Sequence, residues 1–117
     1  MRRPETPPVP IFWRPYDNLK YPHEKQHNYK WSVLSQDDIT IESNVSKIIT
    51  LKFGVTIALG AVIISLPQSL KLQRITLSNQ TVVEDVDDIV VTLHNSSSSL
   101  VKLKAGEILC YLVYSNL

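Results

Sequence analysis

From Tyr29 to the C-terminus the chain is a succession of short runs rich in β-branched residues, each closed by residues that tolerate turn geometry. The runs are Lys30 to Leu34, Asp38 to Glu42, Lys47 to Phe53, Val55 to Leu59, Ala61 to Leu66, Leu70 to Leu77, Asp88 to His94, Leu100 to Lys104 and Glu107 to Tyr114. Between them stand Ser43-Asn44, Gly60, Ser78-Asn79-Gln80, Asn95 with Ser96 to Ser99, and Ala105-Gly106. No apolar 3.6-residue period is sustained over a helical length, and no internal repeat is visible. Strict alternation in Ile39-Thr40-Ile41 and Val101-Lys102-Leu103-Lys104 turns one face inward and the other to solvent. The continuous apolar runs at Ile63-Ile64 and Leu109 to Val113 instead predict strands covered on both faces, by a second sheet or a neighbouring subunit. The pattern predicts an all-β barrel or sandwich.

The first 28 residues have a different texture. Six of the seven prolines fall in the first 22 positions, at Pro4, Pro7, Pro8, Pro10, Pro15 and Pro22, where they fix φ and remove amide donors. That density predicts no helix and no central strand. Phe12, Trp13, Tyr16 and Tyr21 lie in the same stretch, an aromatic content that a free polar tail lacks. The expectation is an extended arm over residues 1–28, docking on another protein through Pro7, Pro8, Pro10, Phe12, Trp13 and Tyr16, followed by a β-barrel domain over residues 29–117.

Composition narrows the function classes. The 12 Lys and Arg against 11 Asp and Glu leave a formal charge of +1, too little for a field that would attract nucleic acid or an anionic membrane. The apolar runs fall far short of a spanning helix, and Arg2, Arg3 and the prolines replace a signal-peptide core, so a chain that is not secreted is expected. Cys110, the single cysteine, is read as a small hydrophobe in a strand, and the sequons at Asn44, Asn79 and Asn95 as turn residues. His23 and His27 lack the further ligands of a zinc site, and Ser96 to Ser99 have no His and Asp partners for a nucleophile. Glu84, Asp85, Asp87 and Asp88 are read as a solvated acidic turn. No cofactor and no metal site is expected.

Several segments, in order, resemble the trimeric deoxyuridine triphosphatase (dUTPase) family. Asp37-Asp38-Ile39-Thr40-Ile41 resembles its acidic-Val-Thr-Ile strand, and Leu51 to Leu59 its Thr-Gly-hydrophobic segment. Pro67-Gln68-Ser69 sits where the family has Pro-Arg-Ser, Ile89 to Asn95 resembles a strand ending in Phe-Asn, and Gly106 to Val113 resembles its Gly-Asp-Arg-Ile-Ala-Gln-Leu-Ile strand. The resemblance covers about Trp31 to Val113 and implies a dUTPase-like β-barrel or jelly-roll-like sandwich with the Pro-rich arm in front. It also implies a homotrimer, since the family builds each site from three subunits.

The same resemblance implies a chemistry in which a carboxylate activates water, Mg²⁺ and basic groups offset phosphate charge, and a backbone hairpin reads uracil. The metal-associated Asp corresponds to Ser32, the phosphate-binding Arg to Gln68 beside Ser69, and the Gln of the fourth motif to Tyr111. Glu84 falls on the water-activating Asp across a one-residue gap, and the fifth, Arg- and Gly-rich motif is missing before Leu117. These substitutions lead to the expectation of a degenerate, non-catalytic member: a viral structural or assembly protein of the capsid or cement type, of adenovirus kind, binding other viral structural proteins in the host nucleus, cytoplasm or virion. The alternative is a signalling adaptor that recruits PDZ proteins through Ser115 and Leu117, and an active dUTP hydrolase is placed last.

Overall fold

The computed structural model describes residues 11–13, 19–25, 28–57 and 59–115, and secondary structure within them is almost entirely strand. The N-terminal strands are β1 (Ile11–Trp13), β2 (Leu19–Lys25) and β3 (Asn28–Leu34). Short strands β4 (Ile39–Ile41), β5 (Ser46–Thr50) and β6 (Gly54–Thr56) lead to β7 (Ala61–Ser65). A single-turn helix α1 (Gln68–Leu72) separates β7 from β8 (Ile75–Leu77) and β9 (Thr81–Val82). The chain closes with β10 (Val90–Asn95), β11 (Val101–Leu103) and β12 (Ile108–Ser115). All pairings are antiparallel: β1 with β6, β5-β10-β8, β11 with β4, and a five-stranded sheet in the order β2-β3-β12-β7-β9.

Period-two patterning puts the core between these sheets. In the β4–β11 pair, Ile41 faces Val101 and Ile39 faces Leu103, all four buried, while Thr40 and Lys102 pair on the outside. On β12, Cys110, Leu112 and Tyr114 point inward, and Val62, Ile64, Trp31 and Val33 join them from the flanking strands. Burial of apolar surface at about 25 cal/mol per Å² is the main stabilising term for such a layer. The other face of this sheet is only half covered within one chain, with Tyr111 and Val113 partly buried and Ile63 exposed. Among the described residues, Leu109, Cys110 and Leu112 are buried while Tyr111 and Val113 are only partly covered, so the apolar run from Leu109 to Val113 is not fully covered on both faces by them.

One polar residue is completely enclosed. Asn95 donates from Nδ2 to the carbonyls of Ile41 (2.9 Å) and Ser99 (2.8 Å), and its Oδ1 accepts from the Ser97 amide (2.9 Å) and hydroxyl (2.7 Å). With its side-chain groups bonded, it ties the end of β10 to β4 and to the serine turn at no desolvation loss. The residue that the sequence marks as a turn is thus an internal clamp.

Three local differences from the sequence reading have physical causes. Leu70 to Leu77 is not one strand: Pro67 starts α1, its carbonyl accepting from the amides of Leu70 and Lys71, and Arg74 at φ 63° ends the turn before β8. Five helical residues are too few to show a period. Lys52, at φ 66°, likewise stops the run from Lys47 to Phe53 after Thr50. The Pro-rich segment contributes β1 and β2, and Pro22 is accommodated because β2 is an edge strand whose register shifts between Lys20 and His23.

Candidate functional site

Ser32 and Tyr111 are directly opposite each other on β3 and β12, and Tyr111 is opposite Ser65 on β7. Directly opposed residues share a face, so Ser65, Tyr111 and Ser32 form one row across the half-covered side of the five-stranded sheet. Lys30, two residues before Ser32, stands on the same face opposite Val113, and its Nζ lies 4.0 Å from the centroid of the Tyr111 ring. That diagonal cation–π contact holds the ammonium beside the row.

The row leads to a cleft. Ser65 is followed by Leu66 and Pro67, and then by Gln68 and Ser69, both exposed in α1. A cavity of about 420 Å³ opens between β7, α1 and β8, with Ser65, Lys71, Thr76 and Gln80 as its polar wall and Ile63, Leu66, Ile75 and Leu77 among its apolar one. The carbonyl of Gln80 accepts from the Ile64 amide at 2.6 Å, which fixes the connection between β8 and β9 against β7. Of the positions that the resemblance singles out, Ser32 and Tyr111 thus lie in one row, while Gln68 and Ser69 are exposed in α1, three and four residues beyond Ser65, and do not line the cleft.

Glu84 is exposed in the acidic connection between β9 and β10. That connection is clamped from below: Val86 exchanges both backbone hydrogen bonds with Val55 (2.9 and 3.1 Å), the Ile89 amide donates to the Phe53 carbonyl (2.9 Å), and Asp85 Oδ1 accepts from the Ile57 amide (2.8 Å). Asp85 is therefore a backbone cap for β6 and its exit. A Cβ built on Gly54 would stand 2.7 Å from the Asp87 carbonyl carbon and closer still to the carbonyl oxygens of Val86 and Asp87. Only glycine permits this crossing, which fixes the height of the turn that carries Glu84.

The residues present do not fit a resident divalent metal. Ser32 offers a neutral hydroxyl where the resemblance has a carboxylate, and among the described residues no group of three His, Cys, Asp or Glu is placed to hold an ion. No chemical step is derived through one. Cys110 is also outside the chemistry: burial pushes its thiol up from 9.0 to about 12, leaving a protonated, enclosed sulfur.

Of the arm residues, Phe12 packs edge-on against Trp31 (4.9 Å between centroids, 74°) and Phe53 (5.7 Å, 83°), so its ring is held by the chain's own core. Trp13 pairs through its backbone with Gly54. Pro7, Pro8, Pro10 and Tyr16 lie outside the described residues, as does Leu117, while Ser115 is the last residue of β12, opposite Ala61. Sequence reasoning missed Lys30 and Lys71. The i, i+2 spacing of Lys30 and Ser32 was the available signal for the first; nothing in the sequence marks the second as a cleft residue.

No family model matches the chain, and no curated protein sequence matches it. Solved structures do. The chain is similar to the EIAV dUTPase, at a TM-score of 0.77 and 16% identity over 92% of this chain and 89% of that one. It is similar to the dUTPase of Staphylococcus bacteriophage 80alpha, at 0.74 and 10% identity over 93% and 90%. A mutant dUTPase from phage phi11 of S. aureus, described with a structural Mg(II) ion, gives 0.71 and 10% over 93% and 91%. The chain has a dUTPase-like, all-β fold.

These neighbours correct two expectations from the sequence. Neither a non-enzymatic structural or assembly protein, nor its adaptor alternative, nor the absence of an enzyme activity is what the comparison points to: the fold neighbours are dUTPases. The physical reason lies in what the earlier expectation weighs. It weighs side-chain identity at single positions, one of them across a gap, whereas the likeness to these neighbours lies in the backbone fold, in which Ser32 and Tyr111 stand directly opposite each other.

Proposed function

We propose that this protein is a dUTP-hydrolysing enzyme that works as a homotrimer. The observation that carries the reading is the convergence of Ser65, Tyr111 and Ser32 in one cross-strand row beside a cleft of about 420 Å³, in a fold whose solved neighbours are dUTPases. Glu84 is the group assigned to water. As an exposed carboxylate on a rigidly clamped turn, it can accept the proton of a water attacking a phosphoryl phosphorus, while the P–O bond to the departing phosphate breaks. In a trimer the turn of one subunit can face the row of another, leaving the half-covered sheet face available to a neighbour. Likeness to EIAV and phage enzymes supports a viral source for the chain.

The test is consumption of dUTP by the purified chain, with the other deoxynucleoside triphosphates as competitors and a native mass measurement on the same sample. Turnover selective for dUTP, lowered about 100-fold or more by Glu84→Gln with dUTP still bound, is expected. A chain that leaves dUTP intact under every divalent-metal condition would overturn the assignment.

A further inference from the structure

We propose that Lys30 and Lys71 hold the phosphate chain of the nucleotide, so that triphosphate binding by this protein does not require a divalent cation. The identity of the ligand rests on the hydrolase reading; the cation pair rests on its own geometry. A triphosphate carries several negative charges, and a site that takes it out of water must offset them with cations or aligned donors. Ser32 and Gln68 are neutral, so the two positions from which the resemblance would draw metal and guanidinium charge supply none. Positive charge nevertheless reaches the same face from residues outside those motifs.

Lys30 is the first. Its ammonium lies against one face of the Tyr111 ring at 4.0 Å, which restrains a side chain that would otherwise range through solvent. An ammonium has three N–H donors and the ring engages it from one side, so donors remain for an anion. Lys71 is the second, in the last turn of α1 and in the wall of the cleft. Ser65 links them, being opposite Tyr111 in the sheet and part of that same wall. Lys30 on β3 lies across β12 from Ile63, two residues before Ser65 on β7, so Lys30 and Ser65 are roughly 12 Å apart at ordinary strand spacing and rise, a gap that two lysine side chains and a triphosphate can bridge. Among the described residues, no carboxylate lines the cleft and none stands in the row. A surface with two cations and no acid on either element favours an anion.

Inorganic tripolyphosphate is the probe, titrated calorimetrically into the full-length protein in EDTA. Saturable binding is expected, weakened by salt, and weakened about tenfold by Lys30→Met and by Lys71→Met. Lys30→Arg should restore most of it, and Lys102→Met, on the outer face of β11, should leave it unchanged. Since Lys71 is exposed on a short turn, its variant remains a fair test if the Lys30 variant does not fold. Absence of binding in EDTA, or affinity unaltered by Lys71→Met, would overturn the proposal. Turnover of dUTP on the same samples separates the two readings. Hydrolysis that needs Mg²⁺ without tripolyphosphate binding in EDTA keeps the hydrolase and removes the lysine pair. Lysine-dependent binding without turnover does the reverse.

Discussion

Gly54→Ala is the sharpest perturbation available, because it adds one methyl group where backbone stands on the other side. Gly54 is not among the residues with positive φ, so alanine meets no conformational penalty and the whole effect is steric. Its Cβ would stand 2.7 Å from the Asp87 carbonyl carbon, against an optimal separation of about 3.5–4.0 Å, so the turn from Val83 to Asp88 must lift by about 1 Å. A shift of that size breaks the two Val55–Val86 hydrogen bonds and misaligns the Asp85 carboxylate from the Ile57 amide. At about 1 kcal/mol for each backbone bond and somewhat more for the charged acceptor, the cost is about 3 kcal/mol. With a urea m-value of about 1–3 kcal/mol/M, the midpoint falls by roughly 1–3 M, read by circular dichroism at fixed protein concentration. Gly106→Ala is the control. It meets no atom within 4 Å but sits at φ 92°, so its cost is conformational, about 1 kcal/mol, and local to a surface turn. Displacing the turn also displaces Glu84, so dUTP turnover should fall in the Gly54 variant and not in the Gly106 variant. A Gly54→Ala protein that unfolds within about 0.3 M of the parent, with unchanged turnover, would refute the account of the clamped turn.

Phe12→Ala should destabilise the isolated protein by about 2 kcal/mol through lost contact with Trp31 and Phe53, measured by urea unfolding; an unchanged midpoint would mean that the ring serves only an outside partner. Cys110 stays protonated in the folded protein up to about pH 12, while an unfolded thiol ionises from about pH 8.5. Above that lower value the unfolded state holds fewer protons than the folded one, so stability falls as pH rises through the window between the two. Cys110→Ala should remove that part of the alkaline slope, and the native thiol should resist a disulfide reagent until urea unfolds the chain.

Alternation made part of this structure legible. In Ile39-Thr40-Ile41 and Val101-Lys102-Leu103 the side-chain period is the strand period, so the inward and outward faces follow directly, and the two segments turn out to pair. Pairing itself leaves no mark in the chain. That Tyr111 faces both Ser32 and Ser65, or that Lys30 reaches its ring, depends on register between segments some 46 to 81 residues apart. Asp85 shows the converse problem: the four acids between Glu84 and Asp88 look alike, and only the fold reveals that one of them caps a backbone amide. Proline density in the first 22 residues argued against central strands, yet an edge strand with a shifted register admits Pro22, because an edge leaves one row of donors unused.

Substitutions on a pleated sheet change what a position offers without changing where it is. Ser32, Tyr111 and Ser65 remain one row because cross-strand order is set by backbone hydrogen bonds and by the inward set of Trp31, Val33, Cys110, Leu112 and Ile64. Slipping β3 by one residue to move Ser32 would bring Trp31 and Val33 into solvent, at roughly 2 kcal/mol or more for each. Core burial therefore protects the geometry of the outer face even while its charges are exchanged. Ser32 and Gln68 are neutral, and among the described side chains positive charge comes to this face and its cleft from Lys30 and Lys71. A triphosphate site built as proposed, on two ammonium groups, should respond to ionic strength more steeply than to chelators.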